Sequence, residues 1–272
     1  VSKPDLRDWE NVLKEKDNSN GKVRIAMVGK YVDFRDSYIS LSEALRHAGF
    51  KTHTEIEIEY VESEEIQRVG AKPLLESMDA ILIPGGFGDR GIEGMIDSIE
   101  FARINNKPYL GICLGLQAAV IEYARNKLHL TDANSTEFNP STRAPVIALI
   151  KEWMNADGSI ENRSESSDLG ASMRLGAQEC ILSDQSMAKY IYQKNSIFER
   201  HRHRYEFNIN FKNDLEEAGL KFSGHSNDGL VEIIELEDHP WFFACQFHPE
   251  FTSSPINGHP LFESFVGASK KI

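Results

Sequence analysis

The stretch Pro108-Tyr109-Leu110-Gly111-Ile112-Cys113-Leu114-Gly115-Leu116-Gln117 decides the fold. Its first half is a short apolar run, as expected of a strand buried on both faces. Its second half opens a run of helical spacing that continues to Arg125. A strand that passes into a helix through Gly-x-Cys-x-Gly makes a sharp elbow, because the glycines allow the turn and the central side chain is lifted out of the sheet. The N-terminus of the following helix points at that side chain and favours a thiolate over a thiol. Cys113 is therefore the candidate nucleophile.

Upstream, Val23–Val28 and Ala80–Ile83 are further buried strands, ending at Gly29 and at Pro84-Gly85-Gly86. Thr52–Tyr60 alternates as a half-exposed strand, and the acidic run Glu55–Glu65 reads as its solvated face. Helical spacing covers Ser37–His47, with Gly49 as its expected stop, and Ile92–Ile104. Strand alternating with helix predicts an α/β fold: a mostly parallel central sheet with helices on both faces. After about residue 143 the chain becomes strand-rich, with strands expected near 173–182, 204–209, 220–225, 230–236 and 242–247, and a last helix near 261–269. Residues 155–171 are polar and Ser/Gly-heavy and read as an excursion loop. Residues 1–21 are polar and read as an irregular linker, with one domain over 22–272. The first residue is Val1 rather than Met, which suits a piece of something longer.

The chain has 272 residues, 40% hydrophobic and 26% charged, enough for a sizeable core without disulfide staples. Its 30 Lys+Arg against 42 Asp+Glu give a net charge of -12. That balance argues against sequence-independent nucleic-acid binding, which needs excess cationic charge. No apolar run approaches the ~20 residues of a membrane span, and no signal peptide is evident. Three cysteines cannot all pair, so a reducing, cytoplasmic setting is expected. Cys180 and Cys245 lie inside apolar strand patterns and read as buried structural thiols. Two Asn-x-Ser/Thr triplets, at Asn134 and Asn162, read as chance matches without a secretory leader.

A thiolate that attacks a carbonyl needs a proton carrier and a group to orient it. Gln246-Phe247-His248-Pro249-Glu250-Phe251, just past an expected strand end, offers both. On extended backbone His248 and Glu250 face the same side, so the carboxylate can hold the imidazole. Pro84-Gly85-Gly86-Phe87-Gly88 is a loop whose backbone N–H groups can bind an oxyanion, with the N–H of Leu114 as second donor. Gly86 to Gly91 also satisfies G-x-G-x-x-G, a dinucleotide-binding pattern. That reading expects the first strand before it and an acidic residue about 20 positions later. Asn105, Asn106 and Lys107 stand at that distance instead.

A Cys elbow, an upstream Gly-Gly loop and a downstream His-Pro-Glu together resemble the class I, triad-type glutamine amidotransferases. The likeness narrows to the glutaminase domains of the CTP synthases through seven ordered stretches. Val28-Gly29-Lys30-Tyr31, Pro84-Gly85-Gly86-Phe87-Gly88-x-Arg90-Gly91 and Gly111-Ile112-Cys113-Leu114-Gly115-x-Gln117 lie in the front half. Asn134-Ser135-Thr136-Glu137-Phe138, Met173-Arg174-Leu175-Gly176, Glu199–Glu206 and Cys245–Phe251 lie behind them. The resemblance implies hydrolysis of L-glutamine through a Cys113-His248-Glu250 triad and a glutamyl thioester. It implies an oxyanion hole at Gly86 and Leu114, and substrate contacts at Gly86, Leu114, Gly115, Leu116, Gln117, Glu137 and Arg204. Glu137 would take the substrate ammonium and Arg204 its carboxylate, since a free amino acid needs one fixed anion and one fixed cation. It further implies that the ammonia serves an N-terminal synthetase domain, where ATP and Mg²⁺ support conversion of UTP to CTP. GTP would be an activator, and no metal or cofactor is expected in this domain. No G-x-x-x-x-G-K-[ST] phosphate loop occurs here. Two alternatives stay open: the glutaminase of another triad-type amidotransferase, and a non-catalytic ligand-binding module on the same fold.

Overall fold

The computed structural model describes residues 4–30, 35–149 and 173–270. In chain order, α1 (Arg7–Asp17) precedes β1 (Lys22–Gly29), α2 (Ile39–Lys51) and β2 (Glu55–Glu62). Two short helices, α3 (Ser63–Val69) and α4 (Ala71–Leu75), lead to β3 (Ala80–Ile83), α5 (Ile92–Ile104), β4 (Tyr109–Ile112) and α6 (Leu114–Lys127). Then come β5 (Ala133–Ser135), β6 (Ala144–Leu149), β7 (Arg174–Leu182), α7 (Met187–Tyr192), β8 (Ser196–His203) and β9 (Tyr205–Phe207). The chain closes with α8 (Lys212–Glu217), β10 (Leu220–His225), β11 (Val231–Leu236), β12 (Phe242–Cys245) and α9 (Pro260–Ser269).

Among the described residues nine strands form the main sheet in the order β2-β1-β3-β4-β12-β11-β10-β7-β8. Pairing is parallel from β2 to β12 and antiparallel from β12 to β8. The strand-rich second half of the sequence thus supplies the antiparallel extension, together with a small β5-β6-β9 sheet. Along the parallel strands successive side chains enter opposite cores, as the two-residue pleat requires. Ile81 and Ile83 join Ile96, Ile99 and Leu116 on one face, while Leu82, Leu110 and Ile112 join Leu41, Leu45, Phe262 and Phe265 on the other. Both faces are covered, which is why these strands read as unbroken apolar runs.

Several local expectations are corrected. The described part of the expected irregular segment 1–21 is not irregular: α1 occupies Arg7–Asp17, buries Val12 and is tied to α2 by the Lys51–Glu15 ion pair at 2.9 Å. Helix α2 does not stop at Gly49 but runs to Lys51. A Cβ at Gly49 would lie 2.6 Å from the Thr54 carbonyl oxygen, so this glycine makes room rather than ending the helix. The acidic run leaves its strand at Glu62 and enters α3 at Ser63. The expected 155–171 loop lies outside the described residues. Among the described residues no helix is long and apolar enough to cross a membrane.

Candidate active site

Three adjacent parallel strands deliver the chemistry to one edge of the sheet. Gly111 of β4 pairs with Ile83 of β3, and Ile112 pairs with Cys245 of β12. The Gly-rich loop after β3, Cys113 after β4 and Gln246–His248 after β12 therefore emerge side by side. They lie beyond the carboxyl ends of the strands, where open α/β sheets form their crevices.

Cys113 adopts φ 54° and ψ −99°, a conformation that a side-chain-bearing residue holds only when its surroundings impose it. Its N–H donates to the Cys245 carbonyl at 2.7 Å, locking the elbow to β12. The flanking glycines are needed for space. A Cβ on Gly115 would sit 2.4 Å from the Ile83 carbonyl oxygen, and one on Gly111 would meet the Tyr109 hydroxyl and the Gly115 backbone. The elbow helix therefore lies against β3, and its first turn leaves N–H groups without intrahelical partners.

His248 Nδ1 is 2.7 Å from Glu250 Oε1, and the ring also hydrogen-bonds the Cys113 thiol. Burial pushes the His248 imidazole down. The hydrogen bonds and charges of Cys113 and Glu250 outweigh it and raise the group to about 10. Protonated His248 thus sits between two groups that carry negative charge when ionised. Gly85 lies against the ring: a Cβ there would be 2.7 Å from His248 Cε1. The site opens into a cleft of about 190 Å³ lined by Tyr38, Gly85, Gly86, Phe87, Cys113, Arg202, His248, Glu250 and Phe251, among others. By contrast Cys180 and Cys245 are fully buried, and burial pushes both thiols up.

The residues expected to hold an amino acid are divided. Gly86 and Leu114 adjoin, since a Cβ on Gly86 would lie 3.2 Å from Leu114 Cδ2. Glu137 Oε1 accepts the Gly88 N–H at 2.7 Å. Burial raises the Glu137 carboxyl, opposed by that hydrogen bond and by the charges of Lys30 and Arg204. Arg204 Nε is buried with no hydrogen-bond partner among the described residues, a donor suited to an anion. Leu116 turns its side chain into the core and its N–H donates to the Cys113 carbonyl at 3.1 Å. Gly115 is packed against Ile83. Gln117 is buried; its Nε2 donates to the Tyr205 carbonyl at 3.1 Å and to Gln246 Oε1 at 3.3 Å.

Sequence reasoning missed three residues here. Gln246 is fully buried and its Nε2 donates to Cys113 Sγ at 3.7 Å. The same two-residue parity that linked His248 to Glu250 reaches back to Gln246. Lys30 is buried, and its Nζ donates to the carbonyls of Phe87, at 3.2 Å, and Gly88. Burial lowers its amine to about 8 against the pull of Glu137 and Asp89. Arg202 lines the cleft because the alternation of β8 buries Glu199, His201 and His203 and turns Arg200 and Arg202 outward.

Behind the site, His201, His203 and Glu232 come close enough to share a metal ion. Burial, then Arg174 and His248, push His201 down to about 3, and burial with neighbouring charge keeps His203 neutral too. Yet Arg174 already fills the cationic place, bonding Glu232 at 2.6 Å and Glu206 at 3.0 Å. His201 and His203 bond each other at 2.9 Å, and His203 Nδ1 meets the Tyr205 carbonyl at 3.2 Å. The cluster fits a hydrogen-bonded structural network built around Arg174 better than a metal centre.

A family model described as glutamine amidotransferase class-I matches residues 33–268. The chain is also similar to the Trypanosoma brucei CTPS glutaminase domain solved with bound acivicin. That match has 36% identity and a TM-score of 0.81, and covers 92% of this chain and 96% of that one. A glutamine amidotransferase from Thermotoga maritima matches at 11% identity and a TM-score of 0.48, covering 91% of this chain and 96% of that one. One from Methylobacillus flagellatus matches at 12% and 0.49, covering 84% and 70%.

Proposed function

The chain belongs to the class-I glutamine amidotransferase family, and from that premise we propose that it hydrolyses L-glutamine to glutamate and ammonia through Cys113, His248 and Glu250. The observation that carries this reading is the strained Cys113 elbow with His248 bonded both to its thiol and to Glu250.

The Cys113 thiolate attacks the side-chain amide carbon of glutamine, and the carbonyl electron pair moves onto oxygen. The N–H groups of Gly86 and Leu114 stabilise that oxyanion. His248 gives its proton to the departing nitrogen, the C–N bond breaks, and ammonia leaves a glutamyl thioester. Water then attacks the thioester while His248 takes its proton. The C–S bond breaks, and glutamate leaves with the thiolate restored. Glu250 orients the imidazole and stabilises its charged form. Glu137 and Arg204, whose Nε has no partner among the described residues, suit the substrate's ammonium and carboxylate. Gln117 is buried and its amide is committed to Tyr205 and Gln246.

The finer proposal is that the ammonia feeds ATP-dependent conversion of UTP to CTP in an N-terminal synthetase domain reached through residues 1–21, in a cytoplasmic enzyme activated by GTP. Its support is the 36% identity to the Trypanosoma brucei domain and the seven motifs above. ATP and Mg²⁺ belong to that other domain, and no residue here is assigned to them. The test of the glutaminase reading is labelling by acivicin, read by peptide mass spectrometry. Modification confined to Cys113 and slowed by glutamine supports it; modification of Cys180 or Cys245 at the same rate, or none at Cys113, contradicts it.

A further inference from the structure

Below Cys113, on buried ground, two side-chain amides form a chain whose direction is fixed. The Tyr205 carbonyl can only accept, so the Gln117 amide must turn its nitrogen toward it, at 3.1 Å. The second hydrogen of that nitrogen faces Gln246 Oε1 at 3.3 Å. With its oxygen so occupied, Gln246 must present its own nitrogen to Cys113 Sγ, 3.7 Å away. Gln246 itself is held by its backbone N–H, which donates to the Glu232 carbonyl at 2.9 Å. Gln246 is fully buried and Gln117 nearly so, so no water competes for these bonds.

We propose that Gln246 is a further catalytic residue, an amide donor to the Cys113 sulfur, and that Gln117 is the positioning residue that keeps its nitrogen turned toward that sulfur. The proposal deepens the glutaminase reading and rests on it for the reaction served. The sulfur carries negative charge twice in that cycle, before it attacks and as it leaves the thioester. A neutral N–H donor stabilises both states without delivering a proton, which leaves proton transfer to His248. Hydrogen bonds to charged groups in dry surroundings are among the stronger ones. The proposal also explains why an amide stands at position 246: a carboxylate would repel the thiolate, and an apolar group would leave Gln117 half-satisfied.

The test is the pH dependence of Cys113 alkylation by iodoacetamide in the whole chain, compared among wild type, Gln246→Met and Gln117→Met. Loss of the donor moves the midpoint of the alkylation profile upward by about one pH unit in Gln246→Met, a tenfold fall in reactive fraction below it. Gln117→Met, which only frees the amide to turn, shifts it in the same direction by less. The turnover number for glutamine falls about 10- to 100-fold in Gln246→Met, while KM stays within about threefold. A purely structural role would lower thermal stability without moving the midpoint. A folded Gln246→Met with a wild-type midpoint and turnover overturns the proposal. If that variant does not fold, an unshifted midpoint in Gln117→Met overturns it equally. Alkylation needs no glutamine, so shifted midpoints in a chain that never hydrolyses glutamine would sink the glutaminase reading and leave the donor standing.

Discussion

His248 Nδ1 meets Glu250 Oε1 at 2.7 Å, and the backbone around them is held from both sides. The His248 N–H donates to the Arg200 carbonyl at 2.7 Å, and Pro249–Thr252 closes at once into a 3₁₀ turn that buries Glu250. The pairing is thus fixed by chain geometry as well as by charge.

Removing either partner therefore has distinct consequences. His248→Ala deletes the proton carrier and should lower glutamine turnover by about 10⁴-fold or more. Glu250→Gln keeps the ring and its shape, and should cost less, about 10²- to 10³-fold. Because the Glu250 bond helps raise His248 to about 10, Glu250→Gln should move the imidazole titration, followed by NMR, to lower pH. Equal and negligible effects of both substitutions would point to another base.

Strain at the elbow is measurable without any substrate. Cys113 holds φ 54° and ψ −99°, where a Cβ is unwelcome. Cys113→Gly relieves that conflict whereas Cys113→Ala retains it, so the glycine variant should be the more stable of the two by about 1 kcal/mol. Denaturant midpoints at equal slope read this directly. An alanine variant more stable than the glycine variant would show the elbow to be relaxed.

Lys30 gives a signed pH effect. Its ordinary value is 10.5 and its folded value about 8, so the fold disfavours its charged form. Below about pH 8 that penalty is complete. Between 8 and 10.5 the unfolded chain holds a proton that the folded chain has lost, so stability rises with pH. Thermal melts of wild type relative to Lys30→Met should therefore improve across this window. The same substitution should lower glutamine turnover, because the carbonyls of Phe87 and Gly88 lose the donor that pins the loop beside Gly86. A flat difference between the two proteins across the window contradicts the buried-charge account.

Much of the front half was legible because each strand and helix is decided locally. Ala80–Ile83 and Ile92–Ile104 match the observed elements residue for residue, since apolar runs, helical spacing and glycine punctuation act over a few positions. Cys113, His248 and Glu250 stand out as candidates for the same reason: an elbow and a two-residue parity are local patterns. Helices α3 and α4, at 7 and 5 residues, carry too few turns to show periodicity. Long-range contacts hid the rest. The bond from Gln246 to Cys113 spans 133 positions and that from Lys30 to Gly88 spans 58, so no local pattern announces either. The family likeness places Leu116 at the substrate, and the turn of α6 packs its side chain in the core.

The buried network beneath the site should behave as an ion-pair cluster. Arg174 bonds both Glu206 and Glu232, and burial pushes both carboxyls up. Arg174→Met strands two buried acids and should destabilise the fold by about 3–5 kcal/mol at neutral pH. An acid raised on folding contributes stability below its unfolded value that is lost as pH climbs through its folded value. The gap between wild type and Arg174→Met should therefore narrow as the medium is acidified toward pH 4.5, the ordinary glutamate value. Added Zn²⁺ should not raise the melting temperature of the wild-type chain; a clear rise would restore the metal reading of His201, His203 and Glu232.

The central claim is that Cys113 carries glutamine hydrolysis. The measurement that tests it most directly is release of ammonia and glutamate from glutamine by the chain and by its Cys113→Ala variant, at equal concentration and with matched thermal melts. The account predicts equimolar ammonia and glutamate from the wild-type chain, and a rate lower by at least about 10³-fold in the variant. A folded Cys113→Ala chain that releases ammonia at a rate near that of the wild type would contradict it.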